Sequence, residues 1–169
     1  KIKKVQQIEA LGGQVLYIQA DASNLDQMRE VILRARQTFG MINGEIHCAG
    51  ILNGPSIPMI KNLSSSDCKL QFQSKVYGAA VLEELLKNME LDFVWMLSSI
   101  SGFLGGLGLG AYAAANIFMD TLVKHRNRLQ KKQCRWFSLN WDGMEAEKSI
   151  EIFERLLSLE KVDQIIFSV

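Results

Sequence analysis

The feature of this sequence that most constrains its fold is a run of five apolar residues, Phe93 to Leu97. A strand that is apolar at every position is buried on both faces, which is the usual state of a strand inside a parallel sheet. Segments with helical and strand-like patterns alternate on both sides of this run, as they do in βαβ units. The pattern predicts one α/β domain over residues 1–169, built on a doubly wound parallel sheet.

The other elements are predicted from short-range patterns. Strands are predicted at residues 14–20, 45–49, 93–97, 136–139 and 165–167, and helices at residues 2–11, 25–39, 64–88, 112–130 and 150–159. Ser23 to Asp26 resembles a capping box at the start of the second helix. No capping residue precedes Ile2, so the sequence is expected to begin inside a helix and to be a piece of a longer chain.

Composition and charge exclude several classes of function. Of the 169 residues, 48% are hydrophobic, enough to fill a core without disulfides or a metal. The 19 basic and 18 acidic residues nearly cancel, so neither nucleic acid nor an anionic membrane is expected as a partner. No apolar run approaches the roughly 18 residues that a membrane span needs. Three scattered cysteines and two lone histidines match no usual zinc-site spacing, so no metal and a cytoplasmic, reducing compartment are expected.

The candidate site lies where the predicted strands end, because ligands of an open parallel sheet bind beyond the carboxyl ends of its strands. The residues at those ends are Asp21, Ala49, Gly50, Ser98, Ser99 and the segment 140–143. Side chains alternate along a strand, so only one of the two serines can face the site well. His47, also near a strand end, is interpreted as a packed or hydrogen-bonded residue and not as a catalytic base.

Tyr112 follows Ser99 by thirteen residues, and Asn116 follows Tyr112 by four. Residues four apart on a helix share a face, so Tyr112 and Asn116 are expected side by side. The loop before them contains five glycines between positions 102 and 110, which let the backbone pass close to a bound ring and take up positive φ where required. Taken alone, without Ser99, Lys75 and Asn116, Tyr112 would be interpreted as a core tyrosine with a hydrogen-bonded hydroxyl.

This arrangement resembles the ketoreductase domains of modular polyketide synthases, which belong to the short-chain dehydrogenase/reductase superfamily. Most members of that superfamily carry Tyr-x-x-x-Lys, whereas these domains place Asn at the fourth position and supply Lys from the preceding long helix. Tyr112 to Asn116 reads Tyr-Ala-Ala-Ala-Asn, and Lys75, twenty-four residues before Ser99, matches the displaced lysine. His47 to Ile51 is similar to the family's His-Ala-Ala-Gly strand end.

The resemblance continues through Phe137 to Trp141, which is similar to the strand before the nicotinamide loop, and through residues 154–169, which are similar to the final helix and strand. It thus covers nearly the whole chain. It implies a Rossmann-like sheet that lacks its first one or two strands, so that residues 1–169 would be the C-terminal catalytic part of a ketoreductase domain. The implied reaction is NADPH-dependent reduction of a β-ketoacyl thioester on an acyl carrier protein, alongside other polyketide synthase domains.

The resemblance also implies a role for each site residue. Tyr112 would donate a proton to the substrate carbonyl, and a nearby cation, Lys75, would favour the resulting phenolate and bind the nicotinamide ribose. Ser99 would donate a hydrogen bond to the same carbonyl oxygen. Asn116 would fix the lysine through a water molecule. On the cofactor side, Asp21 and Ala22 would border the adenine, Ala49 and Gly50 would let the cofactor approach the sheet, and Tyr112 and Trp141 would lie near it.

Some features depart from the family or leave alternatives open. The glycine-rich turn that follows the first strand of a dinucleotide fold is absent, so the preference for NADPH comes from the resemblance alone. Leu52 to Gly54 and Leu104 replace the family's stereochemical markers, so no product configuration is predicted. Asp21 could instead cap the following helix. The chain could also be a non-catalytic fragment or scaffold, whereas a stand-alone dehydrogenase would carry Lys in place of Asn116.

Overall fold

The buried strand Phe93–Ser99 (β2) organises the sheet. In this computed structural model, which describes residues 2–51, 58–129, 134–142, 152–156, 158 and 162–167, β2 pairs in parallel with Gly44–His47 (β1) and with Arg135–Trp141 (β3). A further strand, Gln164–Phe167 (β4), pairs in parallel with β3. The described residues therefore form a parallel sheet in the order β1-β2-β3-β4, which confirms the predicted Rossmann-like α/β class.

Helices precede the first described strand and connect the strands that follow. They are Ile2–Ala10 (α1), Leu25–Phe39 (α2), Ser65–Phe72 (α3), Gly78–Leu86 (α4), Ser101–Leu104 (α5) and Gly110–Leu129 (α6), with a 3₁₀ turn at Ile60–Asn62 and helical residues at 152–156. Except at residues 14–20, each predicted element is present with its ends moved by a few residues. The rest of the predicted helix at 150–159, apart from Ser158, lies outside the described residues, as do Leu52 to Gly54 and Gly143.

The predicted helix at 64–88 is divided into three parts. α3 begins after Ser64, whose hydroxyl accepts the Asp67 backbone N–H at 3.2 Å while the Asp67 carboxylate accepts the Ser64 N–H at 2.9 Å. A π-helical turn, Gln73–Tyr77, then separates α3 from α4. Such a turn contains an extra residue and is frequent at functional sites. Lys75 lies in it and is only 4% exposed.

Two predictions near the start of the chain were wrong. Residues 14–20 form no strand, because a strand requires a hydrogen-bonded neighbour and none of the described strands pairs with this segment. At α2 the N-cap is Asn24 and not Ser23: its side chain accepts the backbone N–H groups of Asp26 and Gln27 at 3.1 and 3.0 Å. Asp26 pairs with Arg29 instead of closing a capping box.

The core lies on both faces of the sheet, as the apolar run in β2 predicted. On one face, Val94 and Met96 pack with helix residues such as Leu82, Met119 and Val123. On the other face, the buried residues are Trp95, Phe137, Leu139, Trp141 and Leu156. Within the described part of the chain, no helix is long and apolar enough to cross a membrane.

His47, the last residue of β1, is 4% exposed, in agreement with its interpretation as a packed residue. Burial lowers the pKa of its imidazole from 6.5 to about 4, and the nearby charge of Lys75 contributes in the same direction. The folded protein therefore holds His47 neutral at pH values where the unfolded chain binds a proton.

We predict that the free energy of unfolding falls as the pH drops from 6.5 towards 4, with a contribution from His47 of about 3 kcal/mol. The unfolded state takes up a proton in this range and the folded state does not. Urea unfolding should show a flatter pH dependence for His47→Gln than for wild type. His125→Gln, at an exposed position on α6, is the control and should keep the wild-type slope. An unchanged slope in His47→Gln would contradict the prediction.

Candidate active site

A cleft of about 370 Å³ opens at the carboxyl ends of the sheet strands. The residues singled out from the sequence that line it are Gly50, Lys75, Ser98, Ser99, Tyr112, Trp141 and Asp142. Residues from five separate parts of the chain thus meet at the edge of the sheet where a parallel α/β fold binds its ligands. The predicted location of the site is consistent with this arrangement, while the roles of the individual residues remain predictions.

Lys75 is the buried cation of the site. Its ammonium donates a hydrogen bond to the Leu97 carbonyl oxygen at 3.0 Å and lies 5.4 Å from the centre of the Tyr112 ring. Burial lowers the pKa of the amine from 10.5 to about 8, and the nearby Cys48 and Asp120 oppose that shift. At neutral pH the amine is therefore still mostly protonated. This excludes the reading of Lys75 as an ordinary solvated lysine on a helix surface.

Gly50 makes room for that lysine. A Cβ atom added at Gly50 would lie 2.9 Å from Lys75 Cε and 3.5 Å from its Nζ. Any larger residue would push the lysine stem away from its position beside Tyr112. The structure therefore gives Gly50 a reason to be glycine beyond the predicted approach of a cofactor.

Tyr112 lies in the first turns of α6 and is 9% exposed. The loop before it takes up the backbone conformations that its glycines allow, with positive φ at Gly105, Gly106 and Gly108. A Cβ atom at Gly106 would lie 2.6 Å from a Leu109 methyl carbon. The predicted positive φ in this loop is confirmed at these three positions.

Asn116 lies one turn after Tyr112 and is fully buried. Its side-chain nitrogen donates to the Tyr112 carbonyl oxygen at 2.9 Å, which confirms that the two residues are neighbours on α6. Its Oδ1 atom accepts no hydrogen bond from the described residues. Asn116 does not line the cleft, so its predicted action on Lys75 would have to pass through a bridging molecule.

The two serines at the end of β2 are used differently, as strand alternation predicted. Ser99 borders the cleft, and its hydroxyl oxygen accepts the Ser101 backbone N–H at 3.2 Å. Ser98 also touches the cleft but is 5% exposed, and its hydroxyl is engaged with the Asn116 carbonyl at 3.4 Å and the Asn140 amide at 3.0 Å. Ser99 therefore has the hydroxyl that is free to donate within the cleft.

The residues predicted to bind the cofactor are only partly brought together. Trp141 lines the cleft, yet it is 8% exposed and stacks on Phe167 at 4.8 Å between ring centres. Ala49 is half-buried and does not line the cleft. Ala22 lies beside Gly78, where an added Cβ would meet the Ala22 methyl at 3.4 Å.

Asp21 is exposed and lies apart from the cleft. Its carboxylate accepts hydrogen bonds from the Ser23 backbone N–H and hydroxyl, at 2.9 and 2.7 Å, and from the Gln73 amide at 3.1 Å. These hydrogen bonds lower the pKa of the carboxyl group, with the Ser23 hydroxyl as the largest cause. Since Asn24 is the N-cap of α2, Asp21 shapes the preceding turn and does not cap the helix.

Sequence reasoning missed Asp120, a carboxylate behind the cleft that is 5% exposed. It accepts hydrogen bonds from the Ser138 hydroxyl and, at 3.0 Å, from the Asn140 amide. The available signal was its spacing, because Asp120 follows Asn116 by four residues and so lies on the face of α6 that also presents Tyr112. Among the described residues, no group of histidine, cysteine and carboxylate side chains could hold a metal ion.

Comparison with known proteins identifies the family of the chain. The family model described as the KR domain matches residues 1–146. The polyketide synthase PksN of Bacillus subtilis (strain 168) is 33% identical over 167 residues, which is 94% of this chain and 3% of PksN. The polyketide synthase PksM of the same organism is 31% identical over 99% of this chain and 4% of its own length. The chain therefore spans a small part of these relatives.

Solved ketoreductases have the same fold. The N-terminal ketoreductase of the macrolactin assembly line is 28% identical with a TM-score of 0.86, covering 98% of this chain and 36% of the other. A ketoreductase domain from the bacillaene assembly line is 30% identical with a TM-score of 0.76, covering 91% of this chain and 39% of the other. The chain belongs to the KR family, the ketoreductase domains of polyketide synthases within the short-chain dehydrogenase/reductase superfamily.

Proposed function

We propose that the protein containing this chain reduces a β-ketoacyl thioester, carried on an acyl carrier protein of a polyketide synthase, to the β-hydroxyacyl thioester with NADPH. The observation that carries the proposal is the buried ammonium of Lys75 against the Tyr112 ring, at a cleft that Ser99 also lines. A buried cation beside a phenol stabilises the anion that proton donation leaves behind. NADPH, rather than NADH, follows from the family resemblance.

The residues present fit a nicotinamide cofactor, because Gly50 and Trp141 line an open cleft at the strand ends and the Lys75 amine is held beside it. When bound, the cofactor supplies the hydride that the β-carbon of the substrate receives. Lys75 would bind the nicotinamide ribose, and Ala49, Gly50 and Trp141 would border the ring. Asp21 and Ala22 would meet the adenine end, which agrees with their position away from the cleft.

Tyr112 completes the reduction by donating its phenolic proton to the substrate oxygen, on which negative charge develops. The phenolate that remains faces the protonated amine of Lys75. General acid catalysis of this kind contributes roughly 10²–10⁴-fold to a rate. Because the pKa of Lys75 is about 8, its positive charge is present at neutral pH, when the proton must be given up.

Ser99 stabilises the same oxygen. Since its Oγ accepts the Ser101 N–H, the hydroxyl proton of Ser99 is free to be donated to the substrate. Asn116 would fix Lys75 through a water molecule, since its buried Oδ1 accepts no hydrogen bond from the described residues and needs a donor. That water would return a proton to Tyr112 after each turnover.

The Tyr112→Phe substitution should reduce kcat by about two to four orders of magnitude, because the ring remains and only the proton donor is lost. The assay is NADPH oxidation with a β-ketoacyl thioester mimic, on the longest natural chain that contains residues 1–169. Tyr17→Phe, at a position that is 69% exposed, is the matched control and should leave the rate unchanged. Full activity in Tyr112→Phe would refute the mechanism.

A second function is favoured by the unpaired segment 14–20 and by the outer edge of β1, which bonds to no described strand. In a dinucleotide fold the phosphates rest on a glycine-rich turn after the first strand, whereas the glycine-rich loop of this chain follows β2. Residues 1–169 on their own would then be a non-catalytic scaffold piece that does not retain the cofactor.

We expect no specific binding of NADPH by residues 1–169 when they are prepared alone and shown to be folded by circular dichroism. Titration followed by NADPH fluorescence or calorimetry measures this directly. Lys75→Met serves as the reference for non-specific binding. Micromolar affinity that is lost in Lys75→Met would show that this part of the chain suffices for the cofactor, and would overturn the scaffold interpretation.

A further inference from the structure

The buried carboxylate of Asp120 has no ion-pair partner within 4 Å in the described part of the chain. Its hydrogen bonds come from two neutral donors, the Ser138 hydroxyl and the Asn140 amide. A buried charge compensated only by neutral groups is costly, and a neutral residue of the same shape would avoid that cost. Asp120 lies two turns along α6 from Tyr112, close enough in the fold for its charge to serve the candidate site.

Asn140 connects this carboxylate to the strand that carries the serines. Its amide nitrogen lies 3.0 Å from Ser98 Oγ and 3.2 Å from the Ser99 carbonyl oxygen, besides its contact with Asp120. On its other side, Gln164 donates to Asn140 Oδ1 at 3.0 Å. These partners fix which way the Asn140 amide points, since Asp120 and the Ser99 carbonyl can only accept.

The network also reaches back to α6. Ser98 donates from its hydroxyl to the Asn116 carbonyl oxygen at 3.4 Å, and Asn116 donates to the carbonyl of Tyr112. Side chains from β2, β3, β4 and α6 thereby join the end of the strand with Ser99 to the helix with Tyr112. The spacing of the two groups that would act on the substrate oxygen depends on these hydrogen bonds.

Asp120 also contributes to the charge around Lys75. The titratable groups that face the amine are His47 and Cys48 from β1 and its following loop, and Tyr112 and Asp120 from α6; β2 offers only the Leu97 carbonyl. His47 is neutral at pH 7. Among these described groups Asp120 is the carboxylate, and after Cys48 it is the next cause that opposes the effect of burial on the pKa of the lysine.

We propose that Asp120 is a positioning residue for the reduction, an inference that rests on the proposed function: through Asn140 its carboxylate orders the end of β2 against α6, and its negative charge acts on the Lys75 ammonium. Asp120 touches neither substrate nor cofactor in this account. It acts through the residues that do.

The test is the titration of Lys75 in the Asp120→Asn variant, which keeps the side-chain shape and removes the charge. The chain is labelled with ¹³Cε-lysine, and the Lys75 signal is assigned by its loss in Lys75→Arg. We expect a wild-type midpoint of about 8 and a midpoint at lower pH in Asp120→Asn. Ser138→Ala removes a hydrogen bond to Asp120 but no charge and should leave the midpoint in place, as should the exposed charge control Asp26→Asn.

An unchanged Lys75 midpoint in folded Asp120→Asn would overturn the proposal, because a purely structural role would alter stability and not this titration. If Asp120→Asn does not fold, the wild-type chain with ¹³Cγ-labelled aspartate gives the answer. The Asp120 carboxyl signal should then show a small step at the pH where Lys75 loses its proton, and the Asp26 signal should not. Absence of that step would overturn the proposal. Neither experiment measures turnover. A failure of this proposal is therefore distinguishable from a failure of the proposed function, which retained activity in Tyr112→Phe would reveal.

Discussion

A lysine ammonium buried beside a tyrosine ring is the constraint on which the rest of this site depends. Removing an amine from water is unfavourable, and the lowered pKa of Lys75 expresses that cost. Three features offset the cost of burying the Lys75 ammonium: the Leu97 carbonyl accepts a hydrogen bond from it, Gly50 leaves room for the side chain, and Asp120 supplies negative charge. The π turn at Gln73–Tyr77 carries the lysine into this position, where an exposed helix would have left it in water.

The sheet provides the rigid frame for that pair. Its parallel strands end at one edge, and alternation along β2 separates two adjacent serines into a network residue, Ser98, and a cleft residue, Ser99. Below the cleft, Asn140 joins the strand ends to Asp120 on α6. Catalytic geometry has to be held to within about half an ångström, and a hydrogen-bonded network on regular elements can do so where loops alone would not.

The sheet class could be predicted from the sequence, and so could the position of Lys75, Ser99 and Tyr112 at one site. Both depend on local patterns or on patterns of the family. It did not predict the π turn, since residues 64–88 have the periodicity of an uninterrupted helix, and only packing across the turn buries Lys75. The strand at 14–20 was predicted wrongly because strand formation depends on a neighbour, which a local pattern does not contain. Asp120 was missed because its partners, Ser138 and Asn140, come from a strand later in the chain.

The central claim, that protonated Lys75 assists proton donation by Tyr112, is tested most directly by the pH dependence of kcat for β-ketoacyl thioester reduction at saturating NADPH. The measurement uses the longest natural chain that contains residues 1–169. The account predicts a constant kcat at lower pH and a decline with a midpoint of about 8, as Lys75 loses its proton. A kcat that stays constant well above that pH would contradict the account.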